Sequence, residues 1–131
     1  MNEHRYILLG SPVPLARARF TNRRVYDSQK HLKLVSGIEI EKQHGEKPKY
    51  TGPVRLTVWF YLPIPQSLSK RKRKQMQEQP HYSRPDLSNL IKFIEDVATG
   101  ILYKDDCIIA ELVSYKHYDT NPRTEFMITP L

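Results

Sequence analysis

The stretch that most restricts what this chain can fold into runs from Arg84 to Asp106, R-P-D-L-S-N-L-I-K-F-I-E-D-V-A-T-G-I-L-Y-K-D-D. Wound as a helix at about 100° per residue, residues 87–98 gather Leu87, Leu90, Ile91, Ile94, Val97 and Ala98 into one arc of about 120°. Ser88, Asn89, Lys92, Glu95 and Asp96 take the opposite arc, with Phe93 at the boundary. One face has to be covered by other elements, while the other is a row of carboxylate, ammonium and amide. Pro85 and Asp86, a favoured N-cap type, mark the start, and Thr99-Gly100 marks the end.

The same stretch carries an unusual charge. From Asp86 onward it holds five acids (Asp86, Glu95, Asp96, Asp105, Asp106) against Lys92 and Lys104, leaving 19 Lys+Arg and 9 Asp+Glu elsewhere. The protein as a whole is at +7. A basic surface draws in a polyanion, and a compact acidic knot holds divalent ions that the basic surface alone would repel. Lys104-Asp105-Asp106 stands between two apolar runs and reads as a turn opening a strand. Folded back over the helix start, that turn lets Asp86 share a cation with Asp105 or Asp106. Mg²⁺ keeps several waters, so two or three acids suffice. Lys92 would then stand beside the site and stabilise negative charge on a reacting phosphate. A plainer reading fits the same spacing: Asp86 caps the helix, the Asp pair makes a turn, and Lys92, Glu95 and Asp96 form a solvated face.

A chain of 131 residues with 39% apolar content is expected to form one domain over 1–131 with a modest core. Its pI of about 9.6 points to nucleic acid before an anionic membrane. No apolar run reaches transmembrane length and Met1-Asn2-Glu3-His4-Arg5 lacks a signal-peptide core, so a cytoplasmic protein without a membrane partner is expected. The single cysteine, Cys107, can make neither an internal disulfide nor a thiolate metal site, and its apolar neighbours predict a buried thiol.

In chain order, residues 6–9 read as a short strand. An irregular basic segment with Arg17 and Arg19 follows, and its Gly and Pro argue against regular structure until about Arg23. A helix is predicted over 29–44, capped by Asp27 or Ser28. Its apolar face is patchy (Leu32, Val35, Ile38, Ile40), Gly37 weakens it, and His31 and His44 belong to its surface. Residues 53–61 alternate as a strand with Val54, Leu56, Val58 and Phe60 inward. Lys70-Arg71-Lys72-Arg73-Lys74 is a run of like charges that repels itself unless an anion is near, on an arm or short helix leading to the acidic stretch. It is the best candidate for sequence-independent phosphate binding. His81 is placed to act as a general base, although a lone loop histidine rarely does. A strand over 107–117, a turn at 119–122 and a closing antiparallel strand over 124–129 complete the chain. The fold expected is α+β, a small mixed sheet with helices packed on it, in the order β-α-β-(basic segment)-α-β-β.

The acidic stretch resembles the RusA-type Holliday-junction resolvases. That family carries P-D-x-D-N-L-x-K on a helix, an Asp further along it, and an aromatic-x-D-D before a strand. Here these are Pro85-Asp86-Leu87-Ser88-Asn89-Leu90-Ile91-Lys92, Asp96 and Tyr103-Lys104-Asp105-Asp106. The opening G-S-P-V-P-L-A-R-A-R and the later Val25-Tyr26-Asp27 resemble the family as well. The resemblance implies a Mg²⁺-dependent, homodimeric endonuclease that resolves four-way DNA junctions. It implies metal binding by Asp86, Asp105, Asp106 and Asp96, catalysis by Asp86, Lys92 and Asp106, and DNA contact by Arg17 and Arg19, which Arg84 and the basic run Lys70 to Lys74 are expected to join. One position departs: the family's second motif aspartate is Ser88, and a hydroxyl is a poor Mg²⁺ ligand. Glu95, two turns on and on the same face, is the candidate replacement, alone or with Asp96. The alternatives are a homologue that binds junctions without cutting them and, from a different class, a basic RNA-binding structural protein.

Overall fold

The computed structural model describes residues 4–16, 19–21 and 24–131, with the backbone alone described at 19–21 and 24–26. In chain order the elements are β1 (His4–Leu9), β2 (Arg19–Thr21), β3 (Arg24–Tyr26), α1 (Lys30–His44), β4 (Val54–Pro63), α2 (Lys70–Met76), α3 (Leu87–Ala98), β5 (Ile109–Asp119) and β6 (Arg123–Pro130). A 3₁₀ turn, Asp106–Ile108, precedes β5. The fold is α+β, with a four-stranded mixed sheet in the order β1-β6-β4-β5 and a separate β2–β3 hairpin.

β4 is the axis because its alternation is strict: Val54, Leu56, Val58, Phe60 and Leu62 are buried while the residues between them are half-exposed. It pairs antiparallel with β6 (Val58 opposite Phe126) and parallel with β5 (Val58 opposite Ser114). The closing strand is therefore antiparallel to β4 and β1, and β4 separates it from β5. The helices supply the rest of the core on one face of the sheet. From α3 come Leu90, Ile91, Phe93, Ile94, Val97 and Ala98, joined by Ile40 of α1, Tyr6, Leu102, Tyr103, Phe126 and Ile128. The opposite face is covered by its own side chains: the Arg5 guanidinium lies 4.3 Å from the Trp59 ring centroid and that of Arg123 3.9 Å from Tyr61. Arg5 and Arg123 both pair with the buried Glu125.

Several sequence expectations are corrected. The segment expected to be irregular holds the β2–β3 hairpin, whose three-residue strands are too short to announce themselves by alternation. Neither Asp27 nor Ser28 caps α1; Gln29 is its N-cap, makes no side-chain capping bond, and spends its amide on Ala16 N (2.9 Å) and Pro14 O (2.9 Å). Leu32, Val35 and Ile38 are exposed, and the buried line of α1 is Gly37, Ile40 and His44. His44 is not a surface residue: Nδ1 is 2.7 Å from the Tyr6 hydroxyl and Nε2 3.1 Å from Pro48 O. That carbonyl can only accept, so Nε2 carries the proton and Nδ1 accepts from Tyr6. Cys107 is exposed, because the Asp105 carboxylate accepts from its amide at 3.0 Å and bends the chain into the 3₁₀ turn before the strand starts. The basic run forms the short helix α2, capped by Ser69, whose Oγ accepts from Lys72 N at 3.2 Å.

Candidate active site

α3 brings its polar arc to the surface because its apolar arc is driven into the sheet. Asp86 is the N-cap, yet its carboxylate makes no capping bond, which leaves it free for another partner. The start of the helix is held from two sides. Leu15 N donates to Asn89 O at 2.9 Å, and Lys116 Nζ of β5 donates to Ser83 O (2.6 Å) and Pro85 O (2.7 Å). This clasp fixes the segment that delivers Arg84 and Asp86, and nothing in the local sequence pattern marks Lys116 for it. Tyr82, beside Ser83, stands almost fully exposed.

At the other end of α3 the chain turns at Thr99 and Gly100 and comes back, with the Tyr103 hydroxyl donating to Glu95 O at 3.0 Å. This turn brings the charge of Asp106 to bear on Glu95, in the second half of the helix. Burial first, and then the negative charge of Asp106, push the Glu95 carboxyl above the usual range, with Lys92 opposing them. Desolvation also raises Asp106, helped by Asp105 beside it and by the charge of Asp96. Asp105 goes the other way, lowered first by the hydrogen bond from Cys107 N.

Asp96 is committed elsewhere. Its Oδ2 lies 2.7 Å from Lys33 Nζ, which also holds Asp27 Oδ2 at 2.6 Å and ties α3 to α1. Burial works to lower the Lys33 pKa, but the two carboxylates outweigh it and raise it. Lys92 is exposed and, among the described residues, makes no hydrogen bond or ion pair. It is one turn from Ser88 and one from Glu95, between the two on the same face. His81 is half-buried against Tyr118, with Nε2 3.4 Å from Ser83 Oγ. Burial and then Lys116 lower its pKa.

Pairwise charge effects link Glu95 with Asp106 and Lys92, and Asp106 with Asp105 and Asp96; Asp86 stands nine residues before Glu95 along the helix, about 13 Å of rise. Among the described residues no three His, Cys, Asp or Glu side chains are gathered as a metal cage. The donor set nevertheless suits a hard cation. Glu95 and Asp106 are oxygen donors that repel each other, and Mg²⁺ needs only one or two carboxylates beside its waters. Of the cationic candidates, Arg17 lies outside the described residues, Arg19 is described only as backbone of β2, and Arg84 and α2 are on the surface leading to Asp86. Among the described residues no helix is long and apolar enough to cross a membrane.

These features define a class first: a basic α+β protein with a concentration of acids on one helix and on the turn that follows it. The chain matches the family described as endodeoxyribonuclease RusA over residues 10–129, and it belongs to that family. Membership implies a nuclease of the Holliday-junction-resolvase type. The chain is also 31% identical over 134 residues to the uncharacterized protein YqaN of Bacillus subtilis (strain 168), across 95% of this chain and 94% of that one.

Proposed function

We propose that this protein is a Mg²⁺-dependent endonuclease that cuts branched DNA, four-way junctions above all, by hydrolysing phosphodiester bonds. The observation that carries the reading is the pair Glu95 and Asp106 on a basic protein, where the charge of Asp106 works against ionisation of Glu95, beside Lys92, which makes no hydrogen bond or ion pair among the described residues. Glu95 and Asp106 would hold the cation, with Asp105 next to them and Asp86 at the helix start facing the same strand. When bound, such an ion supplies Lewis-acid polarisation of a phosphoryl oxygen and a more acidic water. Lys92 Nζ would donate to a non-bridging phosphate oxygen and hold the strand on this face of α3. Asp96 would serve by keeping α3 registered on α1 through Lys33. Arg84 and the basic helix α2 would follow the backbone of the same DNA, and a second copy of the chain would present an equivalent site to the opposite strand of a symmetric junction.

Ser88 favours a second reading, a protein that binds junctions without cutting them. Glu95 lies about 10 Å further along the helix, so a cation held there is displaced from one held at position 88. Mg²⁺-dependent cleavage of a labelled four-way junction by wild type, Glu95→Ala and Ser88→Asp separates the two. Wild type should cut, Glu95→Ala should lose at least about tenfold in rate, a typical cost for one electrostatic contact to the reacting group, and Ser88→Asp should cut at least as well as wild type. Full activity in Glu95→Ala would sink the replacement. An inactive wild type restored by Ser88→Asp would establish the non-cutting reading.

A further inference from the structure

Five consecutive bases stop acting as one block once they are wound into a helix. Around α2, Lys70, Arg73 and Lys74 fall on one side, while Arg71 and Lys72 point the other way. The first three line a cleft of about 450 Å³ whose remaining wall is formed by Gln66, Gln77 and Thr120 over the buried Ile64. The cleft is built from fixed parts. Gln77 Oε1 accepts from Thr120 N at 3.0 Å, which ties the end of α2 to the turn between β5 and β6. Arg73 Nη1 donates to Gln66 Oε1 at 3.0 Å, and Arg73 Nε is buried without a hydrogen-bond partner.

No carboxylate lines this cleft. The neighbouring Asp119 is taken up by Arg123 and by the amide of Asn121. Among the described residues Lys70, Arg73 and Lys74 make no ion pair, and α2 has no acid in its first turn and no buried residue. Like charges three and four residues apart destabilise a helix, and a helix of seven residues has little to spare. An anion from outside would offset that repulsion.

We propose that the cleft is a phosphodiester-binding subsite in which Arg73 presents its guanidinium fork between Lys70 and Lys74, while Arg71 and Lys72 contribute only to the diffuse field. The proposal rests on the reading of this protein as a DNA enzyme and adds a fixed second hold on the strand. The path from the cleft to the site is rigid. Glu78 N donates to Tyr118 O and His81 N to Lys116 O, both at 2.9 Å, along the free edge of β5, and Lys116 then clasps Ser83 and Pro85. Thr120 and Lys116 are four strand residues apart, about 13 Å, so one DNA strand can touch both the cleft and the start of α3.

The test compares Lys70→Gln/Arg73→Gln/Lys74→Gln with Arg71→Gln/Lys72→Gln, measuring binding to a four-way junction by fluorescence anisotropy across a salt series. EDTA is present throughout, so binding is read apart from cleavage. The inner triple variant should flatten the slope of log affinity against log salt by about 2 to 3, and the outer double by less than 1. Arg73→Lys keeps the charge and should weaken binding several-fold at an unchanged slope. Lys70, Arg71, Lys72 and Lys74 are exposed and Arg73 is half-buried, and matching far-ultraviolet circular dichroism checks the fold of each variant. Equal loss per charge in the two sets overturns the subsite, and so does tighter binding to a matched RNA duplex. Millimolar inorganic phosphate that shifts the Thr120 amide resonance as strongly as DNA does would make free phosphate the ligand and overturn the assignment to a diester. Slopes as expected in a protein that never cuts DNA would leave the subsite standing and end the catalytic reading instead.

Discussion

Glu95 is where the charge on this surface is least balanced, and its neighbours predict how it titrates. Its carboxyl is raised by burial and then by Asp106, and Lys92 pulls it back. Asp106→Asn should therefore lower the Glu95 pKa and Lys92→Met should raise it, read from the side-chain carboxyl resonance during a pH titration. A Glu95 value unmoved by Asp106→Asn would show that the two do not face each other. The sign carries over to stability. A carboxyl raised in the folded state binds its proton more tightly there than in the unfolded chain, so this group's contribution falls as pH rises between the ordinary Glu value and the raised folded one. A divalent ion seated between Glu95 and Asp106 removes that cost. Millimolar Mg²⁺ should raise the melting temperature of wild type at neutral pH and do so less in Asp106→Asn; an equal rise in both would place the ion elsewhere.

Among the elements, α1 shows how a misleading stripe arises. Leu32, Val35 and Ile38 look like a buried face, but the helix is docked through Gly37, where an added Cβ would come within 2.9 Å of Ile101 Cδ1. Gly37→Leu should cost about 1–3 kcal/mol through overpacking, while Gly37→Ala should be near neutral, since the better helix former offsets a contact with a movable methyl group. Thermal melts check both, and a stable Gly37→Leu would mean that α1 is not docked against Ile101 in the turn after α3. The clasp before α3 gives a separate expectation. Lys116→Met leaves two carbonyls without their charged donor and should cost about 1–3 kcal/mol, with faster amide exchange over residues 80–86; unchanged exchange there would show that the clasp is incidental. The bounds of α3 were legible because six apolar residues share one helical arc between a capping aspartate and a glycine. The start of β5 was not, since the Asp105 side chain diverts the chain into a 3₁₀ turn. The candidate acids were legible as residues. That the charge of Asp106 reaches Glu95 was not, because it depends on how 99–106 folds back, with the Tyr103 hydroxyl on Glu95 O, which no periodicity encodes.

At the scale of the whole molecule, sheet order decides which surfaces can work together. β5 runs parallel to β4 at the sheet edge, so its first residues adjoin the Asp pair and its last adjoin the basic helix, with α3 between. A single edge strand thus connects the two charged regions of a protein whose overall balance is +7. In the proposed function, carboxylates at the end of α3 and in the following turn serve cleavage of branched DNA. This role is tested most directly by incubating wild type and Asp106→Asn with a labelled four-way junction and a matched linear duplex in Mg²⁺. Wild type should cut the junction and leave the linear duplex nearly intact, and Asp106→Asn should lose junction cutting while still binding the junction. Equal cutting of the junction by both proteins would contradict it.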